Sequence, residues 1–176
     1  MNRADRAEAR RRPAAAGVRR RAARLAALQA LYQLAMTETT PQSVLAEFLE
    51  QRLDEETDDV RLTEADRIWF GNLVRGVAAE GADLDDMLAA VLADDWPVER
   101  LEMVLRILLR QGAYELGYLP EVPARVVINE YVGLAHAFFG GKEPGMVNGV
   151  LDRLARTLRP EELEDPGAVR SAGSAN

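Results

Sequence analysis

Nine arginines lie within the first 24 residues, and they are the strongest chemical signal in the sequence. Only Asp5 and Glu8 oppose them, so this segment carries a net charge of +7, and the chain total of −7 then leaves −14 on the remainder. A guanidinium can bridge a phosphate with two hydrogen bonds and stack on an unpaired base, whereas an ammonium acts as a point charge. We therefore predict that the N-terminal segment attracts a polyanion locally, while the acidic remainder repels one.

The basic segment continues into a predicted helix. Arg20, Arg21 and Arg24 are three and four residues apart, so they occupy neighbouring surface just ahead of Leu25. The segment has little aromatic interleaving, which predicts affinity for phosphates rather than reading of base sequence. A solvated tail without a specific partner is the structural alternative.

No group of residues in the sequence points to catalysis. The chain has no cysteine, and His136 is its only histidine, which we interpret as a surface or packing residue. Glycine-rich phosphate and dinucleotide loops are missing. Three acidic pairs are present, for which solvation and helix capping are the favoured roles over a metal site: Asp58-Asp59, Asp85-Asp86 and Asp94-Asp95. We predict a protein that is not an enzyme and that uses no cofactor or metal.

The elements that must position the arginines are predicted to be helices. Apolar residues recur at steps of three and four along most of the chain, and no alternating strand pattern occurs, so we predict an all-α fold, a compact bundle of about seven helices. Five local signals support specific boundaries or contacts. Two signals predict helix starts: Thr40-Pro41, and a capping box over 63–66 before an apolar face with Ile68 and Phe70. Gly76 predicts a helix end or close packing, and Gly140-Gly141 predicts a helix end. Pro160 is predicted to close the last helix.

Three regions follow from composition. Residues 1–17 are predicted to be a disordered Arg-rich arm, 18–160 an all-helical domain, and 161–176 a disordered tail. No segment has the roughly 20 apolar residues that a membrane span needs, and no secretory signal is recognisable. We expect a soluble cytoplasmic protein that folds without disulfides.

Several motifs together resemble the NusB family of bacterial transcription antitermination factors. The resemblance covers roughly residues 18–160, and the motifs occur in the family's order and at close to its spacing. They are RRRAAR at 19–24 leading into QALY at 29–32, YEL at 114–116, VP at 122–123, VINE at 127–130, LA at 134–135 and VNGVLD at 147–152.

This resemblance implies a non-catalytic RNA-binding factor. NusB proteins pair with NusE, a small-subunit ribosomal protein, and bind the single-stranded boxA element of ribosomal RNA transcripts, so that RNA polymerase with other Nus factors resists termination. By similarity, partner contact is assigned to Tyr32 and Met36, and Tyr32 has partly buried core as its alternative. RNA contact is assigned to Arg12, Arg19, Arg20, Arg21, Arg24, Lys142 and Met146.

Four polar residues of the family motifs have both a functional and a structural interpretation. Asn129, Glu130, Asn148 and Asp152 look functional, but buried asparagines also fix helix register through hydrogen bonds, and we favour that structural role. Family members carry aromatic side chains for base stacking where this chain has Val91 and Met146. The alternatives to an antitermination factor are a helical adaptor or homodimer, and the RNA-binding domain of an RNA methyltransferase without its catalytic half.

Overall fold

The computed structural model describes residues 16–51, 65–92 and 97–164, and over these ranges it contains helices and loops without a strand. The α-helices are α1 Ala16–Met36, α2 Pro41–Glu50, α3 Arg67–Ala79, α4 Gly81–Ala89, α5 Met103–Tyr118, α6 Ala124–Phe138, α7 Glu143–Leu158 and α8 Pro160–Leu163, with a 3₁₀ turn at Val98–Arg100. The all-α prediction is confirmed, with seven helices of nine or more residues and a short eighth within the described ranges. None of the helices in these ranges combines the length and apolar character that crossing a bilayer requires.

The chain divides into two compact units after Arg75, inside α3. In the first unit, α1 packs through small side chains, since five of its alanines are at most 1% exposed: Ala22, Ala23, Ala26, Ala27 and Ala30. Small residues allow neighbouring backbone to approach closely, and larger side chains complete this core. The rings of Phe48 and Phe70 stack with centroids 5.8 Å apart.

Local capping chemistry sets where α2 and α3 begin. The Thr40 hydroxyl accepts a hydrogen bond from the backbone N–H of Ser43 at 3.2 Å, and Pro41 occupies the first turn, which confirms the predicted start of α2. At α3 the Asp66 carboxylate accepts from the N–H of Trp69 at 3.0 Å. Asp66 is therefore itself the N-cap of α3. The sequence prediction instead makes Thr63 the N-cap and places Asp66 at N3, three residues later, and Thr63 lies outside the described residues.

The predicted apolar face of α3 is correct for Phe70 but wrong for Ile68. Ile68 is 78% exposed, while Trp69 and Phe70 are buried. At 3.6 residues per turn, Ile68 lies on the same side of α3 as the exposed Asn72 and Arg75, away from the face that Phe70, Leu73 and Val74 bury.

The second unit contains the end of α3 and all later helices. Gly76 fits against the ring of Tyr114, because a Cβ at this glycine would overlap the ring atoms of that tyrosine. Close packing, one of the two roles predicted for Gly76, is therefore observed. Deeper in this unit the hydroxyl of Tyr131 donates to the Oε1 atom of Glu115 at 2.6 Å, and both residues are fully buried.

A buried arginine closes the end of α5. Arg159 is 8% exposed, and its guanidinium donates to main-chain carbonyl oxygens at the end of α5 and in the turn that follows it. The acceptors are the carbonyl oxygens of Glu115 at 2.8 Å, Leu116 at 2.8 Å, Leu119 at 3.0 Å and Val122 at 2.6 Å. The last carbonyls of a helix have no partner within it, so Arg159 supplies the missing donors.

Three predicted boundaries differ from the structure. Ala16 and Gly17, assigned to the arm, already belong to α1. The helix α7 ends at Leu158, as Pro160 predicts, but it is not the last helix. Pro160 also opens the short helix α8, because its fixed φ suits a first turn, and Leu163, assigned to the tail, is buried. The helix α6 ends at Phe138 through an extended Phe139, and within the described ranges no glycine has a positive φ, so the Gly140-Gly141 pair does not end α6 in the left-handed conformation that a C-terminal glycine predicts.

Candidate nucleic-acid interface

The N-terminal half of α1 presents arginines on more than one side. Arg20 and Arg24 are one helical turn apart and both lie against Trp69 of α3. Their guanidinium carbons are 4.2 Å and 5.9 Å from the centroid of the indole ring. A cation over an aromatic face is held by the quadrupole of the ring, which stabilises the pair by roughly 0.5–2 kcal/mol. Trp69 thus fixes the cationic face of α1.

Arg24 is a packing residue in this arrangement. It is only 2% exposed, so its guanidinium has almost no surface to offer a phosphate, and the burial does not support the RNA contact expected for this residue. The burial arises because α1 and α3 meet at this position, which a helical spacing of arginines within α1 alone does not reveal.

Arg19 and Arg21 are exposed and Arg20 is partly exposed. The carbonyl oxygen of Arg19 accepts from the backbone N–H of Asp66 at 3.1 Å, which ties α1 to the start of α3. These three residues therefore present cationic surface on a backbone that is already held in place. Arg12 lies outside the described residues.

Tyr32 and Met36 share one outward side of α1 with Arg21. The three residues are separated by eleven and four positions, which are close to whole numbers of turns at 3.6 residues per turn. Tyr32 is 40% exposed and Met36 is 61% exposed, so both side chains offer surface to a partner, and Tyr32 is also partly buried, as its structural alternative predicts. The structure brings an exposed arginine and two exposed apolar side chains to the same helix face.

Lys142 and Met146 lie together at the start of α7 in the second unit. Lys142 precedes the helix and is exposed, and its carbonyl oxygen accepts from the N–H of Met146 at 3.1 Å. Met146 is partly exposed. A cation and a flexible apolar side chain one turn apart are suited to a phosphate and a base, respectively.

The structural role that we favoured for the asparagines is wrong. Asn129 on α6 and Asn148 on α7 are exposed, and neither side chain forms a hydrogen bond with the described part of the chain. Asp152 instead binds Arg156 one turn later, with the Arg156 Nε atom 2.8 Å from Oδ2. Glu130 is partly buried.

Within the three described ranges no cluster of histidine, aspartate or glutamate could hold a metal ion. His136 is exposed on α6. Asp85 accepts hydrogen bonds from Arg106 and Arg110, so the acidic pair to which it belongs serves an ion-pair cluster. The other two acidic pairs lie outside the described residues.

Trp69 is the site residue that sequence reasoning missed. It stands beside Phe70 in an apolar stretch, where an aromatic residue indicates core and nothing more. Its relation to Arg20 depends on the packing of α1 against α3. The sequence carried no local signal for this contact, because the spacing of Arg20 and Arg24 shows only that the two residues share a helix face.

The described residues define an all-helical protein whose first helix carries an exposed arginine surface. A family model described as "NusB family" matches residues 21–156, and the chain belongs to the NusB family. The antitermination protein NusB of Maricaulis maris is 47% identical over 144 residues, covering 82% of this chain and 90% of that protein. The corresponding protein of Caulobacter vibrioides is 46% identical over 140 residues, covering 80% and 94%.

Two solved structures agree with this membership. NusB of T. maritima superposes with a TM-score of 0.59 and 27% identity, covering 83% of this chain and 97% of that one. A chain from a crystal structure of the antitermination factors NusB and NusE in complex with double-stranded RNA gives a TM-score of 0.64 and 25% identity, covering 78% and 96%. The predicted family is confirmed.

Proposed function

We propose that this protein is a transcription antitermination factor that binds single-stranded boxA RNA together with NusE and helps RNA polymerase, with other Nus factors, to resist termination. The observation that carries the proposal is the exposed arginine surface of α1 in a member of the NusB family. The related proteins carry the name of transcription antitermination proteins, and one solved relative was crystallised with NusE and RNA. The proposed role is binding without catalysis, in the cytoplasm.

RNA contact is assigned to Arg19, Arg20 and Arg21, with Arg12 extending the track. Arg19 and Arg21 are exposed, and the indole of Trp69 orients Arg20. Preorganised guanidinium groups lose less side-chain entropy when they bind phosphate. Lys142 and Met146 form a second, smaller contact for the strand.

NusE contact is assigned to Tyr32 and Met36. Their exposed surface lies on the same side of α1 as Arg21, so one helix supplies groups to both partners. When RNA and NusE stabilise each other's binding, the coupling must be reciprocal. The same face is also where a second copy of this chain would compete in a homodimer.

The first experiment measures RNA binding by fluorescence anisotropy. A boxA-like strand and a scrambled strand of equal length are compared with and without NusE across a salt series. We expect tighter binding of the boxA-like strand and a further gain with NusE. The double variant Arg19→Ala/Arg21→Ala should bind more weakly. Its plot of log affinity against log salt should be shallower by about 0.7 for each phosphate that the two arginines no longer bind, or about 1.4 in all.

The matched control removes two positive charges elsewhere. Arg100→Ala/Arg153→Ala replaces two exposed arginines of the second unit, and its RNA affinity should stay close to that of the unchanged protein. Equal weakening in both double variants would mean that only the total charge matters. Equal, weak binding of both strands regardless of NusE would favour the helical adaptor.

The partner assignment has a separate test. Tyr32→Ala/Met36→Ala should abolish the gain that NusE gives while RNA binding without NusE changes little. Tyr118→Ala is the control, because Tyr118 is exposed to a similar degree, 41% against 40% for Tyr32. Sedimentation of the protein alone distinguishes a homodimer, which the double variant would convert to monomer.

A further inference from the structure

A small open cleft of about 230 Å³ lies among α6, α7 and α8. Its polar lining comes from two helices, with Arg125 and Asn129 on α6 and Asn148 on α7. The cleft belongs to the second unit, whereas the arginines of α1 belong to the first. None of the roles assigned so far uses these side chains.

The two amide side chains in the cleft have no partner within the described residues. Asn129 and Asn148 are both exposed, and neither side chain forms a hydrogen bond there. An asparagine amide carries two donor hydrogens and one acceptor oxygen. Two amides from different helices therefore present a set of donors and acceptors that a ligand with a mixed hydrogen-bonding edge can satisfy.

The charge of the cleft is positive although the chain as a whole is acidic. Asp152 is paired with Arg156 at 2.8 Å, so these two charges offset each other. Arg125 is exposed and has no ion pair among the described residues, which leaves one positive charge. A ligand with an attached anionic group is favoured on these grounds.

The remaining wall of the cleft is apolar. Ile128 is 6% exposed and Leu163 is 7% exposed, so each presents a small apolar surface to the cleft. The volume is below the roughly 300–1,000 Å³ of pockets for drug-sized ligands, so a single small ring system is the appropriate size.

We propose that this cleft binds one unpaired nucleobase of the RNA strand, with Asn129 and Asn148 on the base edge and Arg125 on the adjoining phosphate. An unpaired base combines an apolar face, an edge of donors and acceptors, and a linked phosphate, and proteins read such bases through their edges. This site deepens the proposed function and rests on it, because a single-stranded RNA must be the ligand.

Nuclear magnetic resonance tests the cleft directly. The side-chain NH₂ signals of Asn129 and Asn148, assigned by loss of each signal in Asn129→Ala and Asn148→Ala, are followed while AMP, GMP, CMP or UMP is added. Ribose 5-phosphate is the control, since it has the phosphate but lacks the base. We expect at least one nucleotide to shift both signals and ribose 5-phosphate to leave them unchanged. Equal shifts with ribose 5-phosphate, or none with any nucleotide, would overturn the base assignment.

RNA binding provides the second readout. Asn129→Ala/Asn148→Ala should lower affinity for the boxA-like strand about tenfold, the size expected when one good base contact is removed. Asn72→Ala is the control because Asn72 is an exposed asparagine on α3. Circular dichroism checks that each variant keeps its helices.

The outcomes separate the two proposals. If the unchanged protein binds RNA and the double asparagine variant binds equally well, the cleft proposal fails and the proposed function stands. If the unchanged protein does not bind RNA, both fail. Loss of NusE binding with unchanged RNA affinity would make the cleft a protein contact and overturn the nucleobase assignment.

Discussion

The guanidinium carbon of Arg20 lies 4.2 Å from the centroid of the Trp69 ring, so a cation at the start of α1 is held by an aromatic residue of α3. The backbone hydrogen bond from Asp66 to Arg19 joins the same two helices at 3.1 Å. The position of the arginine surface is therefore determined by the packing of two helices, and changes in Trp69 should be detected in RNA binding.

Replacing Trp69 tests this coupling. Trp69→Leu keeps an apolar side chain but removes the ring, so Arg20 regains rotamer freedom and RNA affinity should fall several-fold, in line with about 1 kcal/mol for a partly exposed cation–π contact. Fluorescence anisotropy measures the affinity. Trp69→Phe is the control, because it keeps a ring and because the indole N–H has no hydrogen-bond partner among the described residues. Identical affinities for both variants would remove the positioning role.

Arg24 and Arg21 should respond differently to the same substitution. Arg24 is buried, so Arg24→Ala leaves a cavity beside Trp69 and should lower the free energy of unfolding by about 2 kcal/mol or more. Arg21 is exposed, so Arg21→Ala should change the free energy of unfolding by less than about 1 kcal/mol while weakening RNA binding. Urea unfolding of both variants measures the difference. Equal stabilities would contradict the burial of Arg24.

Two helical glycines should give opposite effects when replaced by alanine. At Gly76 the added methyl group overlaps the Tyr114 ring, so Gly76→Ala should destabilise by about 2 kcal/mol. Gly133 has no neighbouring atom within 4 Å of the added Cβ, so Gly133→Ala should stabilise α6 by about 0.5–1 kcal/mol. Thermal unfolding reports both signs. A stabilised Gly76→Ala would mean that the Tyr114 ring does not pack there.

Asp85 should make stability depend on pH in acid. Burial alone raises the pKa of Asp85, but hydrogen bonds and charge from Arg110 and Arg106 outweigh it and lower the pKa below its ordinary value of 3.8. A lowered folded-state pKa stabilises the protein above the unfolded-state pKa, and this contribution is lost as pH falls through the folded-state value. Asp85→Asn should therefore lower the free energy of unfolding by about 2 kcal/mol at pH 7 and flatten its decline below about pH 4.

Urea unfolding of the unchanged protein and Asp85→Asn between about pH 2.5 and 7 measures this dependence. Asp86→Asn is the control, since Asp86 is exposed and has no ion pair with the described residues. Parallel curves for Asp85→Asn and the unchanged protein would show that the ion pairs add no pH-dependent stability.

Local signals in the sequence predicted the structure where the physics is local. The cap at Thr40 and the helical period of α1 need only residues a few positions apart, and both are observed. The buried Arg24 was not predictable in the same way, because its environment is set by α3, which is distant in sequence. The exposure of Ile68 follows from its position on the α3 helix, on the same side as Asn72 and Arg75.

Part of the candidate site was likewise predictable from the sequence, and part depends on tertiary packing. The basic segment and the family motifs predicted α1 as the surface that we propose for RNA, since charge is visible in composition. The contact of Trp69 with Arg20 and the cleft around Asn129 and Asn148 depend on tertiary packing. The residue pattern of one helix contains no information on that contact or on that cleft.

The hydrogen bonds of Arg159 also impose an order on biosynthesis. Its acceptors at the end of α5 and in the following turn precede it by 37 to 44 residues. While the ribosome is still adding α6 and α7, those carbonyl groups have no guanidinium to bind. Since nascent domains fold as units, the second unit can reach its final hydrogen bonding only after Arg159 has left the exit tunnel.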